Sequence, residues 1–215
     1  MKRYGLLIFV LCVILVGFNI VMVYSGEQGK VSDEFRERFI EDFRRGSLDT
    51  TMGDAMMLRI LVESAGAKRG VEVGSANGFG AINMGIGFER TGGHLYTLEI
   101  DPRRVKECRE NLENVGLENV VTCIEGDALE TLKTLEGEFD FVFIDALKRD
   151  YFKYLKLLEP KLKPGSVIVA DNVIVSARAM KDFLDYVQES PNYDTVIIRA
   201  SMEKGDGMSV SYKIR

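Results

Sequence analysis

From residue 69 onward the chain alternates short runs of β-branched and aromatic residues with longer stretches whose apolar positions recur at helical spacing. Strand-like runs fall at 69–73, 94–99, 119–124, 139–144, 167–171, 194–200 and 208–214, and helical ones near 79–89, 102–115, 128–135, 149–162 and 177–189. Strands separated by helices pair in parallel through crossovers, so the pattern predicts an α/β fold, a doubly wound, seven-stranded, mostly parallel sheet. Only a short GDG-containing stretch separates the last two strands, which predicts an antiparallel strand at one edge. Two further helices are expected ahead of this unit, one over 33–45 with Ser32 as cap and one over 54–65.

The chain also carries an apolar run, Leu6 to Tyr24, preceded by Lys2 and Arg3. As a helix it would extend roughly 28 Å, close to the hydrocarbon thickness of a bilayer. The expectation is a single-pass anchor over 1–25, a linker over 26–31 and a catalytic domain over 32–215. A signal peptide cut near Val23 and Ser25, giving a secreted protein, is the alternative, although its apolar core is usually shorter. Lys2 and Arg3 on one side face Lys30, Arg36, Arg38 and Arg44 on the other, so flanking charge does not orient the span.

Net charge is −5, with Lys and Arg interspersed among Asp and Glu, and no basic stripe exists to track a phosphate backbone; no nucleic-acid partner is expected. Cys12, Cys108 and Cys123 form neither a disulfide framework nor a thiolate metal motif. His94 is the only histidine and stands apart from the predicted strand ends, which removes Ser-His-Asp and Cys-His chemistry.

The informative residues sit where buried parallel strands would open into a ligand crevice. FDFVFID ends in Asp145, SVIVADN ends in Asp171 and Asn172, and Lys148 follows the first aspartate by three residues. Two carboxylates and an amide oxygen suit a hard cation such as Mg²⁺; the competing reading is that Asp and Asn cap the helices that follow. The first strand and its turn read VEVGSANGFGAI, in which Gly74, Gly78 and Gly80 allow a tight turn and close approach to a nucleotide-like cofactor. The spacing is Gly-x-x-x-Gly-x-Gly, not the dinucleotide fingerprint, which disfavours hydride transfer. Glu99, closing the second strand, is placed to accept hydrogen bonds from ribose hydroxyls, and Glu72 within the first strand needs a donor to be buried.

Taken in order, Glu72 with GSANGFG, Glu99 with Asp101-Pro102, GDA at 126–128, FIDALKRDY at 143–151 and VADNV at 169–173 resemble the class I S-adenosylmethionine-dependent methyltransferases. Within that class they are similar to the metal-dependent O-methyltransferases typified by catechol O-methyltransferase, from about Thr50 to the C-terminus. The resemblance implies a Rossmann-like methyltransferase fold and methyl transfer from S-adenosylmethionine to a hydroxyl of a small catechol-like aromatic diol. It further implies that the backbone near Met52, together with Glu72, Gly74, Gly78, Gly80, Glu99, Asp127, Ala128 and Asp145, binds the cofactor. Asp145, Asp171 and Asn172 would hold Mg²⁺, Lys148 would be the general base, and Glu203 would orient the second substrate hydroxyl. Glu203 also reads as an exposed hairpin charge, and the Lys148-Arg149-Asp150 run as a solvated helix start. Leu147 and Ser176 stand where the family's tryptophan and proline gate would be, and Gly80 replaces a hydroxyl residue. A lipid-like or macromolecular acceptor, and a non-catalytic cofactor-binding module, are the alternative functions. Because the cofactor is cytosolic, the catalytic domain is expected on that side of the membrane.

Overall fold

The computed structural model describes residues 31–215. The expected anchor lies outside the described residues, among which no helix is long and apolar enough to cross a membrane.

Helix α1 spans Asp33–Glu41, and the Ser32 side chain caps it by accepting the Phe35 N–H at 3.2 Å. Helix α2 spans Met52–Ser64 and starts two residues earlier than its apolar periodicity suggests, because Thr51 is its cap. The Thr51 hydroxyl accepts the Asp54 N–H at 3.2 Å and donates to the Asp54 carboxylate at 2.7 Å.

The alternating region then gives β1 (Arg69–Val73), α3 (Phe79–Thr91), β2 (His94–Glu99), α4 (Pro102–Asn114), β3 (Val121–Glu125), α5 (Ala128–Thr134), β4 (Phe139–Ile144), α6 (Tyr151–Leu158), β5 (Leu162–Ala170), α7 (Lys181–Glu189), β6 (Tyr193–Ile198) and β7 (Met208–Lys213). The helix expected over 149–162 is broken into a 3₁₀ turn at Lys148–Asp150, α6, and a second 3₁₀ turn at Glu159–Lys161. Pro160 accounts for the second break, since it has no N–H to continue an α-helix. Strand β5 begins five residues before the expected start: Leu162 pairs with Phe139, and the register then shifts so that Phe141 meets Val167. Pro164 and Gly165 fall in that irregular stretch, where a missing ladder donor does no harm.

The sheet order is β3-β2-β1-β4-β5-β7-β6. The antiparallel strand is β7, which lies one place in from the edge and runs against both β5 and β6; the edge itself is β6. Helix α7 carries the chain to the outside of the sheet first, and the short 199–207 connection then allows β7 only to fold back into the gap beside β5. One face of the sheet is covered by a core containing Leu58 of α2, Phe79 and Phe88 of α3 and Leu112 of α4. The other packs on Leu132 of α5, Leu155 of α6 and Phe183 of α7. The winding therefore reverses between neighbouring β1 and β4, and a ligand crevice is expected at their carboxyl ends.

Candidate functional site

The reversal point opens a cavity of about 970 Å³ lined in part by Gly74, Glu99, Asp127, Ala128, Asp145, Lys148, Asp171 and Asn172. Backbone hydrogen bonds carry the ladder beyond the strands and fix the positions of the first residues past their ends. Gly74 N–H donates to Leu98 carbonyl at 2.9 Å, Asp145 N–H to Val73 carbonyl at 2.8 Å, and Asp171 N–H to Ile144 carbonyl at 3.0 Å.

At one end of the cavity, Glu99 accepts three backbone N–H groups, from Ala76, Ile100 and Asp101, each at 2.9 Å. Asp127 caps α5 by accepting the Leu129 N–H at 2.9 Å. Both carboxylates are thus held in place by main-chain donors while facing the crevice.

At the other end Lys148 Nζ donates to Asp145 Oδ1 at 2.7 Å and to the Tyr151 hydroxyl at 2.8 Å, and that hydroxyl donates to the Asp171 carbonyl at 3.2 Å. Burial pushes the Asp145 carboxyl above the usual range; the Lys148 ammonium pulls against it, and the Asp171 charge adds to the rise. Burial likewise holds the Tyr151 phenol well above its ordinary value. Asn172 adopts the left-handed region at φ 60°, uncommon for a residue with a side chain. Its Nδ2 donates to Asp206 at 3.2 Å, which leaves the amide carbonyl oxygen as the atom free for a ligand.

Among the described residues no group of three or more His, Cys, Asp or Glu side chains is arranged to hold a metal ion. The oxygen set here is smaller, two carboxylates and an amide. It fits a hard cation on two counts: every donor is oxygen, and Asp171 Oδ1 is buried without a hydrogen-bond partner.

Met52, Glu72, Gly78, Gly80 and Glu203 are not brought to the cavity wall. Met52, the first residue of α2, packs against the core. Gly78 caps α3 at φ 96°, where an added Cβ would lie 2.9 Å from Cys108 Sγ. Glu72 is 1 % exposed and accepts from the Thr97 hydroxyl, the donor its burial requires. A Cβ on Gly80 would come within 2.7 Å of Glu72 Oε1, so this glycine makes room for the carboxyl group. Glu203 is 46 % exposed and paired with Arg45 at 2.9 Å, because the connection after β6 turns its neighbour inward instead.

That neighbour, Lys204, is one of three participants not foreseen from the sequence. Its Nζ lies 2.8 Å from Asp171 Oδ2 and 3.6 Å from Asp54 Oδ2. Burial opposes its charge, yet the bond to Asp171 and the nearby Asp54 and Asp145 charges raise its pKa above the ordinary value. Asp54 is itself buried, and that burial raises its carboxyl. Tyr151 was legible in part, being three residues beyond Lys148 and so on the same side of a helical turn.

Burial, followed in effect by the opposing Thr97 bond and the added charge of Asp145, pushes Glu72 up to about 8 from 4.5. Between those two values the folded chain keeps a proton that the unfolded chain has lost, so stability falls as pH rises through that window. The Glu72→Gln variant should therefore show a flatter dependence of melting temperature on pH from about 4.5 to about 8, with its advantage widening toward the upper end. Parallel curves for the two proteins would sink this assignment.

The profile of the O-methyltransferase family matches residues 22–201. A catechol O-methyltransferase of Mycobacterium tuberculosis is 34% identical over 167 residues, covering 72% of this chain and 76% of the relative. A second catechol O-methyltransferase, from Niastella koreensis, is 31% identical over 140 residues and 63% of each chain. Among solved structures, a Klebsiella pneumoniae protein assigned as an O-methyltransferase superposes with a TM-score of 0.76 at 28% identity, covering 86% of this chain and 91% of its own. A Bacillus cereus O-methyltransferase in complex with SAH shares the fold, with a TM-score of 0.74 at 24% identity over 84% of this chain and 89% of its own. With the crevice at the strand reversal and a family match over most of its length, the chain belongs to the O-methyltransferase family and is an S-adenosylmethionine-dependent enzyme.

Proposed function

We propose that this protein transfers a methyl group from S-adenosylmethionine to one hydroxyl of a small catechol-like aromatic diol in a Mg²⁺-dependent reaction. The observation that carries this reading is the convergence of Asp145, Lys148, Asp171 and Asn172 on one wall of the cavity whose far end is formed by Glu99 and Asp127. The names of the two bacterial relatives above support the acceptor class.

Methyl transfer from a sulfonium proceeds in line, so the protein must align donor and acceptor and raise the acceptor's nucleophilicity. In this reading Glu99, fixed by its three backbone donors, receives the ribose hydroxyls, and Asp127 with Ala128 borders the adenine. Gly74 lets the backbone pass close to the donor. Mg²⁺, held by Asp145, Asp171 and Asn172, would supply charge that favours ionised acceptor oxygens. Lys148, as the neutral amine left once its ammonium proton has passed to solvent, takes the acceptor proton at Nζ, while Asp145 and the Tyr151 hydroxyl hold the nitrogen in place. Glu203, turned to Arg45, has no part in this reading.

The apolar run at Leu6–Tyr24 supports a second element, tethering of the domain to the cytosolic face of a membrane, and with it a lipid-like acceptor as the alternative substrate. One experiment separates these readings. Carbonate-washed membranes from cells expressing the full chain are assayed with labelled S-adenosylmethionine against catechol, caffeate and a lipid extract, with Mg²⁺ or with EDTA. The expected result is methylated diol in the washed membranes that EDTA abolishes. Labelled lipid alone favours the alternative acceptor, EDTA-insensitive product removes the metal, and activity found only in the wash removes the anchor.

A further inference from the structure

Lys204 reaches the carboxylate cluster from outside the strand ends that form it. It stands in the connection between β6 and β7, and its ammonium is 2.8 Å from Asp171 Oδ2. Asp171 is 1 % exposed in its side chain and Lys204 only 29 %, so the pair is shielded from water that would weaken it. The placement is built into the fold by Asp206, two residues on. One Asp206 oxygen accepts the N–H groups of Ile174 at 3.0 Å, Val175 at 3.1 Å and Gly207 at 2.8 Å, and the other accepts from Asn172 at 3.2 Å. The loop bearing Lys204 is thereby clamped to the loop that follows Asp171 and Asn172.

Two carboxylates of this corner already carry an ammonium partner, Asp145 with Lys148 and Asp171 with Lys204. Asp54, Asp145 and Asp171 face the two ammonium groups of Lys148 and Lys204. A divalent ion bound at Asp171 while the Lys204 ammonium stays 2.8 Å from Oδ2 would place two cations on one buried carboxylate, and their repulsion is strong in a shielded site. Lys148 is held by both Asp145 and Tyr151. Lys204 has a second carboxylate within reach, Asp54 Oδ2 at 3.6 Å. Rotation of one flexible side chain moves its ammonium from Asp171 to Asp54 without moving the clamped backbone.

We infer that Lys204 is an internal competitor for the divalent metal: the ion binds Asp171 in exchange for the Lys204 ammonium, which passes to Asp54, and Lys204 thereby sets the metal affinity of the site. The inference rests on the Mg²⁺ reading above and deepens it, assigning to Lys204 a positioning role that the family match does not supply.

The test is metal binding itself, followed with Mn²⁺ by electron paramagnetic resonance and by competition with Mg²⁺, on the purified full chain without substrate. Lys204→Met keeps the aliphatic stem and removes the competing charge; it should bind Mn²⁺ about 10- to 100-fold more tightly, the span expected for loss of one charge-assisted hydrogen bond. Lys204→Arg, which keeps a cation, should stay much closer to the natural protein. Melting temperature provides the second readout. Without metal the methionine variant should melt lower, and Mg²⁺ should raise its midpoint at concentrations that leave the natural protein unmoved. If that variant needs metal in order to fold, recovery of its folded signal at those same concentrations supports the exchange equally. Equal Mn²⁺ affinity in the natural chain and Lys204→Met, or weaker affinity in the variant, overturns the role of Lys204 and leaves the metal reading standing. Absence of Mn²⁺ binding in all three proteins overturns both.

Discussion

Replacing Lys148 with methionine should lower kcat for methyl transfer by about 10²- to 10⁴-fold, the range over which a positioned general base contributes. The cause is specific to Nζ, which is the nitrogen placed between Asp145 and the Tyr151 hydroxyl. A second substitution separates base chemistry from electrostatics. Lys148→Arg preserves a cation beside Asp145 but cannot give up its proton, so it should lose nearly as much activity while keeping a near-natural melting temperature. Single-turnover kinetics with saturating S-adenosylmethionine and acceptor measure the effect on the transfer step. An arginine variant within tenfold of the natural rate would remove Lys148 from the base role and leave it as a counter-ion for Asp145.

The second large effect concerns folding. In Gly74→Ala the new Cβ would stand 2.2 Å from the Asp145 carbonyl oxygen, a backbone atom that cannot turn aside. The residue also sits at φ +96°, where a side chain is strained. Left-handed strain and overpacking together should cost roughly 2–5 kcal/mol. In a domain of this size that corresponds to a fall of roughly 5–20 °C in melting temperature. Gly66→Ala is the control, since Gly66 has φ +60° but nothing within 4 Å of the added atom. It should show the conformational cost alone, and comparable losses in the two variants would mean that the close approach to Asp145 contributes little. Because Asp145 begins at that contact, Gly74→Ala should also disturb the placement of Asp145 and Lys148, lowering activity even where the protein remains folded.

Lys148 was legible from its position three residues beyond a strand-ending aspartate. The need for glycine at 74 was expected from the turn, but its contact with the Asp145 carbonyl depends on β1 and β4 being neighbours, which is a property of the sheet order. Glu72 shows the same division. Its burial required a donor, and the structure supplies Thr97 from the adjacent strand, opposite it in the β1–β2 register.

By itself the sequence determined the alternation of strands and helices, the strand ends at Gly74, Glu99, Asp145 and Asp171, and the oxygen-rich character of the crevice. Those features follow from local periodicity and from the rule that residues just past buried parallel strands face a common opening. The tertiary structure alone decided that β7 inserts beside β5, that Glu203 turns to Arg45, and that Lys204 and Asp54 join the aspartate cluster. Asp54 and Asp171 are far apart in the chain and have no shared local pattern. Lys204 brings them together because the antiparallel return into β7 and the Asp206 clamp place one flexible side chain beside two buried carboxylates, and the energy of that contact depends on distance in space, which no spacing along the sequence encodes.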